Sequence, residues 1–442
     1  MDQPSTQPFA DEFGAVAASL AGCGVPWIDD WRQSGLGIYG ALGLPTRRVE
    51  AWKYTDLRRL PRRGYVPAQQ MAEVAIDSVP AGALALDGWR LVLVNGRFRP
   101  ELSIFEDLPA GVAVANLGEV LARDPAAAEP HLGKLMCLDG MPLAALNTAF
   151  AGDGLYLRLE DGVALERPVH LVSIGGGTEA PVMFHPRHLI VLGAGASATV
   201  VESHIGLGDG SYLANGVLEA EVGRGAALRH ARLQRDGTEA THLAAAQIVL
   251  GEGAAYEGFV LQAGGRLVRH EARLRFAGPG AEGRLAGAAL AAADAHLDNM
   301  TLVDHAAPGC RSRQLYKGAF GGRAKGIFQG KTVVRPGAQG TDAYQMSRAL
   351  LLSKEAEADT KPELEIYADD VTCGHGATVG DLDAEALFYL SARGIGEAEA
   401  RRLLVEAFLA EAIDTVSDAH LCHAFTQVAQ DWLEAHIGGG AR

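Results

Sequence analysis

Gly193-Ala194-Gly195-Ala196 returns as Gly223-Arg224-Gly225-Ala226, as Gly251-Glu252-Gly253-Ala254 and as Gly278-Pro279-Gly280-Ala281. Two weaker copies follow, Ala307-Pro308-Gly309-Cys310 and Arg335-Pro336-Gly337-Ala338. Counted at the third position, Gly195, Gly225, Gly253, Gly280, Gly309 and Gly337 lie 30, 28, 27, 29 and 28 residues apart. A fixed period of this size marks a solenoid. Between the turns run short strand-like pieces, His188-Leu189-Ile190-Val191-Leu192 and Thr199-Val200-Val201-Glu202-Ser203, with clear alternation over 227–233. Each unit reads as two or more short strands joined by turns in which glycine supplies φ > 0. Stacked units of this kind make a parallel β-helix. An antiparallel β-sandwich with regular glycine turns is the alternative, and an interior rich in small residues favours the helix.

Glycine fills 55 of 442 positions, aromatics are only 6%, and the charge is −15. The core must therefore rest on Ala, Val, Leu and Ile, and the acidity argues against a nucleic-acid partner. No run of about 18 apolar residues is present, so no membrane span is expected. The N-terminal dozen residues carry Asp2, Asp11 and Glu12 without an apolar stretch, unlike a secretory signal. The cysteines, Cys23, Cys137, Cys310, Cys373 and Cys422, are too scattered for a disulfide framework or a CxxC motif. A soluble, cytoplasmic protein is expected.

On either side of the repeat the pattern changes. Phe9, Phe13, Val16, Ala17 and Leu20 fall at helical spacing before Gly22 and Gly24. Arg47, Arg48, Lys53, Arg58, Arg59, Arg62 and Arg63, set against Glu50 and Asp56, read as a solvated face around a buried Trp52. Leu91-Val92-Leu93-Val94 followed by Asn95-Gly96 signals a strand and a hairpin turn. Near the C-terminus, Ala386, Leu387 and Leu390 make a short helical face broken at Gly394 and Gly396. Leu403, Leu404, Ala407, Phe408 and Ala412, then Leu421, Phe425, Val428, Trp432 and Leu433, form amphipathic stripes, with Gly438, Gly439 and Gly440 as the stop. The division expected is a helical region over 1–83, a β-helix core over 84–382 and a helical domain over 383–442.

Three stretches invite a chemical reading. Gly193-x-Gly195-x-x-Ala198 resembles a dinucleotide fingerprint, but Thr199, Val200 and Val201 follow where a helix would have to begin. Gly326-Ile327-Phe328-Gln329-Gly330-Lys331-Thr332 has three residues between its glycines where a phosphate-binding loop needs four, and it runs into Val333-Val334. Both read as coil turns. In Asp369-Asp370-Val371-Thr372-Cys373-Gly374-His375-Gly376, an extended chain puts Cys373 and His375 on one face, donors suited to iron or zinc. Two donors do not close a tetrahedral site, so a metal would need ligands from another chain or from substrate; a satisfied polar edge is the alternative. The 14 histidines, among them His185, His188, His204, His230 and His242, include several on coils that could stack.

The region 341–395 resembles the SufB/SufD family of iron–sulfur cluster assembly proteins. The resemblance lies in Thr341-Asp342-Ala343-Tyr344-Gln345, Leu350-Leu351-Leu352-Ser353, Lys361-Pro362-Glu363-Leu364-Glu365-Ile366, the Cys373-x-His375-Gly376-Ala377-Thr378-Val379-Gly380 segment and Leu387-Phe388-Tyr389-Leu390-x-x-Arg393-Gly394-Ile395. Glu50-x-Trp52-Lys53-Tyr54-Thr55-x-Leu57 looks like the motif of the SufD branch. The resemblance implies a right-handed parallel β-helix between helical ends, pairing with SufB through the β-helices and binding of the SufC ATPase through the C-terminal helical domain. Carried over, His375, with Cys373 beside it, belongs to the cluster-assembly interface, and His375 is a metal donor shared with the partner chain. Leu387, Phe388, Tyr389, Arg393, Leu404 and Phe408 are the expected SufC contacts. The iron–sulfur cluster or iron is transient and shared with SufB, and none is held tightly by this chain alone. ATP hydrolysis belongs to SufC. Eight basic residues against one acid over 311–348 suggest an interface there as well.

Two other functions stand as alternatives: a SufB-like homodimeric scaffold, against which the cysteines are few, and a β-helical carbohydrate-active enzyme, against which no acidic pair stands out on the coils.

Overall fold

A ladder of backbone hydrogen bonds links the turn glycines of successive coils in the computed structural model, which describes residues 8–70, 75, 85–208 and 210–438. Gly162, Gly195, Gly225, Gly253, Gly280, Gly309 and Gly340 all have φ between 61° and 73°. Each donates its N–H to the residue just before the next turn glycine or its equivalent: Gly195 to Arg224 O at 2.8 Å, Gly253 to Pro279 O at 2.9 Å, Gly340 to Asp370 O at 2.7 Å. A side chain at these left-handed positions would strain every coil. The weakest sequence copy is thereby corrected: the turn residue is Gly340, since Gly337 is not left-handed and Gly340 takes its place in the ladder.

From Arg187 onward, successive strands fall in alternate sheets, and each pairs in parallel with the strand two further on, as in Leu213↔Thr241, Thr241↔Leu267 and Leu267↔His296. The result is a parallel β-solenoid of about seven turns, built on an eleven-stranded and a ten-stranded sheet. The hairpin at Asn95-Gly96 forms as its sequence predicts, joining Trp89–Val94 to Arg97–Phe98 with both turn residues at positive φ. The dinucleotide-like and phosphate-loop-like stretches lie in the turn before strand Ser197–Leu207 and within strand Lys325–Val334, with no helix following either.

Helices close both ends of the chain. At the N-terminal side, α1 (Phe13–Val16) and α2 (Pro26–Leu42) precede three helices that interrupt the first strands, α3 (Leu117–Arg123), α4 (Pro125–Ala128) and α5 (Pro142–Phe150). The expected change from helices to strands near residues 83 and 84 falls outside the described residues, as do Gly439 and Gly440. At the C-terminal side, α6 (Ala384–Ser391), α7 (Glu397–Ile413) and α8 (Ala419–Leu433) follow the last coil. Val405 and Leu409 of α7 and Phe425 of α8 pack with Val201, Phe259 and Leu290 on one sheet. The buried stripe of α7 is Ala400, Val405, Leu409, Ala412 and Ile413; of the expected Leu403, Leu404, Ala407, Phe408 and Ala412 it keeps Ala412, and the other four lie on a face rotated from it. This helix has apolar residues on several faces, so its own pattern does not select the inward one.

Candidate functional site

The solenoid ends in two edge strands, Glu357–Ile366 and Val371–Gly380, each the outermost of its sheet. Among the described residues nothing pairs with their outer edges, so a row of backbone donors and acceptors faces outward. Register continues the interior alternation into the last strand: Ala343 aligns with Cys373 and Gln345 with His375. Ala343 and Gln345 are buried inside the solenoid. Cys373 and His375 therefore lie on its inner face, at the one coil that no further coil covers. His375 is exposed, while Cys373 packs partly against Val334, Ala338 and Ala368.

The polar residues beneath His375 were not singled out by the sequence. Gln314 aligns with Gln345, one coil below His375. Its Oε1 accepts from Thr301 Oγ1 at 2.7 Å, and its amide donates to Thr332 Oγ1 at 3.3 Å. Gln345 donates to Gly330 O at 3.3 Å, a close approach that glycine permits, because a Cβ there would stand 2.2 Å from the Gln345 amide nitrogen. Glutamine recurring at the coil period was the signal available.

Burial pushes the Cys373 thiol pKa up, so it favours the protonated form and is the poorer donor of the pair. Among the described residues no group of three or more His, Cys, Asp or Glu is arranged to hold a metal ion. Cys373 and His375 are an incomplete donor set for a tetrahedral centre.

The other expected contacts separate into two kinds. On α6, Phe388 is 76% and Tyr389 56% exposed, with the Arg393 guanidinium 4.3 Å above the Tyr389 ring. Leu387 and Leu404 are half-buried, and Phe408 turns to the solenoid, where the Lys317 ammonium sits 4.3 Å from its ring centre.

The basic stretch over 311–348 is corrected. Arg311 pairs with Glu282, Arg313 with Asp342, Arg323 with Asp294, Lys325 with Asp359, Lys331 with Glu365 and Arg335 with Asp304. Lys317 and Arg348 share Glu411 of α7. Most of these acids lie one coil away, about thirty residues off in sequence, so the local excess is neutralised in the fold and gives no support to an interface.

Several histidines stack inside the coils. The fully buried Glu202 accepts from His204 at 2.8 Å, from His230 at 2.7 Å and from Arg232 at 2.5 Å. Burial opposes its ionisation, but Arg232 and the two imidazoles outweigh burial and hold the carboxyl well below its usual range. His204 and His242 meet edge to face at 4.6 Å. Burial pushes His185 and His188 down to about 3, and His170, His204 and His305 to about 4. A folded-state pKa below the unfolded value means the unfolded chain binds more protons, so the stability is present above pH 6.5 and is lost as the pH falls toward 4. At pH 5.5 each such imidazole costs about 1.4 kcal/mol relative to neutral pH. The melting temperature is expected to fall by on the order of 5 °C between pH 7.5 and 5.5. A flat profile in a calorimetric pH series would contradict burial of these rings as neutral species.

The described residues thus form a parallel solenoid whose last coil is covered by no further coil, with α7 and α8 packed on one of its sheets. Two family models cover nearly all of the chain: the SufBD core domain of SUF-system FeS cluster assembly matches residues 174–408, and the SufBD protein N-terminal region matches residues 3–171. The chain belongs to the SufBD family of iron–sulfur cluster assembly proteins. It is 33% identical over 402 residues to the iron–sulfur cluster assembly protein SufD of Escherichia coli, covering 90% of this chain and 91% of that one. A SufBD family protein of Synechocystis is 32% identical over 402 residues, 88% of each chain. One from Mycobacterium leprae is 38% identical over 228 residues, 50% of this chain and 57% of the relative. No helix among the described residues is long and apolar enough to cross a membrane.

Proposed function

We propose that this chain is a non-catalytic, cytoplasmic subunit of a SUF complex, divided as 1–83, 84–382 and 383–442. The open end of its solenoid docks on a SufB-type partner, and its C-terminal helices bind a SufC-type ATPase. The carrying observation is the pair of unpaired edge strands with His375 exposed on their inner face. Backbone edges of this kind take up a second sheet by strand addition, with alternate side chains supplying specificity. A partner docked there would bring the ligands that Cys373 and His375 lack, and iron and the nascent cluster are cargo shared across the junction. The shared Glu411 pairs with Lys317 and Arg348 tie α7 to the last coils, which supports transmission of ATPase motion from the helices to that end.

Co-expression with SufB-type and SufC-type partners is expected to yield a stable complex. Truncation after Leu382 is expected to lose the SufC-type subunit and retain the SufB-type one. Because α7 and α8 also cover apolar sheet surface, the double substitution Phe388→Ala/Tyr389→Ala is the companion variant. It changes exposed side chains and is expected to lower SufC-type recovery without altering the melting temperature. Undiminished recovery with both variants would overturn the assignment.

A further inference from the structure

The cations of the N-terminal segment differ from those of the coils. Over 311–348 each cation has a carboxylate partner within 4.0 Å. Between residues 47 and 63, Arg58 pairs with Asp56 and Arg63 with Glu239, while Glu50 is taken by Lys361 of the terminal strand. That leaves Arg47, Arg48, Lys53, Arg59 and Arg62 exposed with no carboxylate within 4.0 Å among the described residues, although Arg47 also acts on Asp56 and Lys53 on Glu50 at longer range, on a chain whose net charge is −15.

The segment carrying them is rigidly seated. Trp52 is buried with the Arg269 guanidinium 4.0 Å from its ring, Thr55 donates to Asp298 at 2.5 Å, and Ala51 O accepts from Gln329 at 3.3 Å. Arg47 Nε donates to Lys53 O at 2.9 Å, which holds the Arg47 side chain against the backbone of the segment. Asp298, Gln329 and Lys361 belong to successive strands of one sheet, the last of them its terminal strand. The Arg47–Lys53 end of the segment therefore stands beside the open end of the solenoid, and the segment runs back along the sheet from there to Arg63, which bonds to Ser211 and Glu239. Leu42 and Val49 at its margin are 47% and 45% exposed.

We propose that the 47–62 segment is a docking surface for a carboxylate-rich face of the protein that covers the open end. This inference rests on the docking proposed above. Like charges in excess along one rigid segment repel one another and gain most from an opposing acidic surface. The exposed Leu42 and Val49 suit a protein partner. A polyanion such as nucleic acid would meet net negative charge elsewhere on the chain, and Trp52, the aromatic ring best suited to stack a base, is buried.

The experiment uses the full-length chain and the purified SufB-type partner in a binding-rate series against salt concentration. Arg48→Glu/Arg59→Glu/Arg62→Glu is expected to slow association about tenfold and to flatten its salt dependence. The corresponding triple lysine variant should behave as wild type. Carbodiimide coupling of the wild-type complex should join the Lys53 amine to a partner carboxylate, located by peptide mass spectrometry. If wild type binds and the charge-reversed protein, with an unchanged melting temperature, binds at the same rate, this inference is overturned and the docking stands. If wild type does not bind the partner, both fall. Tighter binding to a 20-base-pair DNA duplex than to the partner would also overturn it.

Discussion

Glu219→Ala is expected to cost at least about 4 kcal/mol of folding stability. The carboxylate is fully buried and accepts four hydrogen bonds: from Arg187 at 2.5 Å, Gly133 N–H at 2.8 Å, Leu135 N–H at 2.9 Å and Met136 N–H at 3.0 Å. It thereby fastens the loop before α5 to strand Tyr212–Val222 of the solenoid. Burial works against its charge, yet Arg187 and the amides overcome burial and lower its pKa. Alanine at this position strands three amides and leaves the buried Arg187 guanidinium with Asn147 and Thr148 as its side-chain hydrogen-bond partners among the described residues and the Trp31 ring beside it. Glu219→Gln retains the shape and loses the charge, so it should cost less. Arg187→Met/Glu219→Leu should recover part of the loss, because a buried pair removed together leaves no orphaned charge. Urea midpoints of the four proteins measure this. A loss below about 1 kcal/mol for Glu219→Ala would contradict the role given to the pair.

Much of the solenoid was legible because its turns need a residue type that sequence displays. Gly195, Gly225, Gly253, Gly280 and Gly309 are left-handed as the repeat implies. The sixth turn escaped because Arg335-Pro336-Gly337-Ala338 imitates the motif three residues before Gly340, and only the inter-coil hydrogen bonds distinguish them. Strand alternation likewise placed Cys373 and His375 on one face. What sequence could not show is pairing at a distance. Glu282 neutralises Arg311 and Glu365 neutralises Lys331 through coil register. A local charge count cannot contain those partners. For the same reason, Glu202 and Arg232 look like unrelated polar residues 30 positions apart until the coils stack them. The Glu50-to-Leu57 motif, noticed only as a resemblance, has a physical role: it clamps the N-terminal segment to the sheet through Lys361, Arg269 and Asp298.

His375→Ala is expected to lower the cluster yield of the complex about tenfold or more while leaving the complex assembled. The imidazole is exposed on the uncovered inner face, so its removal opens no cavity and strands no buried partner. Its backbone pairs with Gln345 in the ladder, and alanine retains that pairing. The neighbouring Cys373→Ser should have the smaller effect, since burial favours the protonated thiol. The decisive measurement is iron and acid-labile sulfide per complex, after anaerobic purification of wild type and His375→Ala co-expressed with SufB-type and SufC-type partners. A normal yield of complex with depleted iron and sulfide is the predicted result. Normal iron and sulfide in an intact His375→Ala complex would contradict the assignment of the open end as the assembly site.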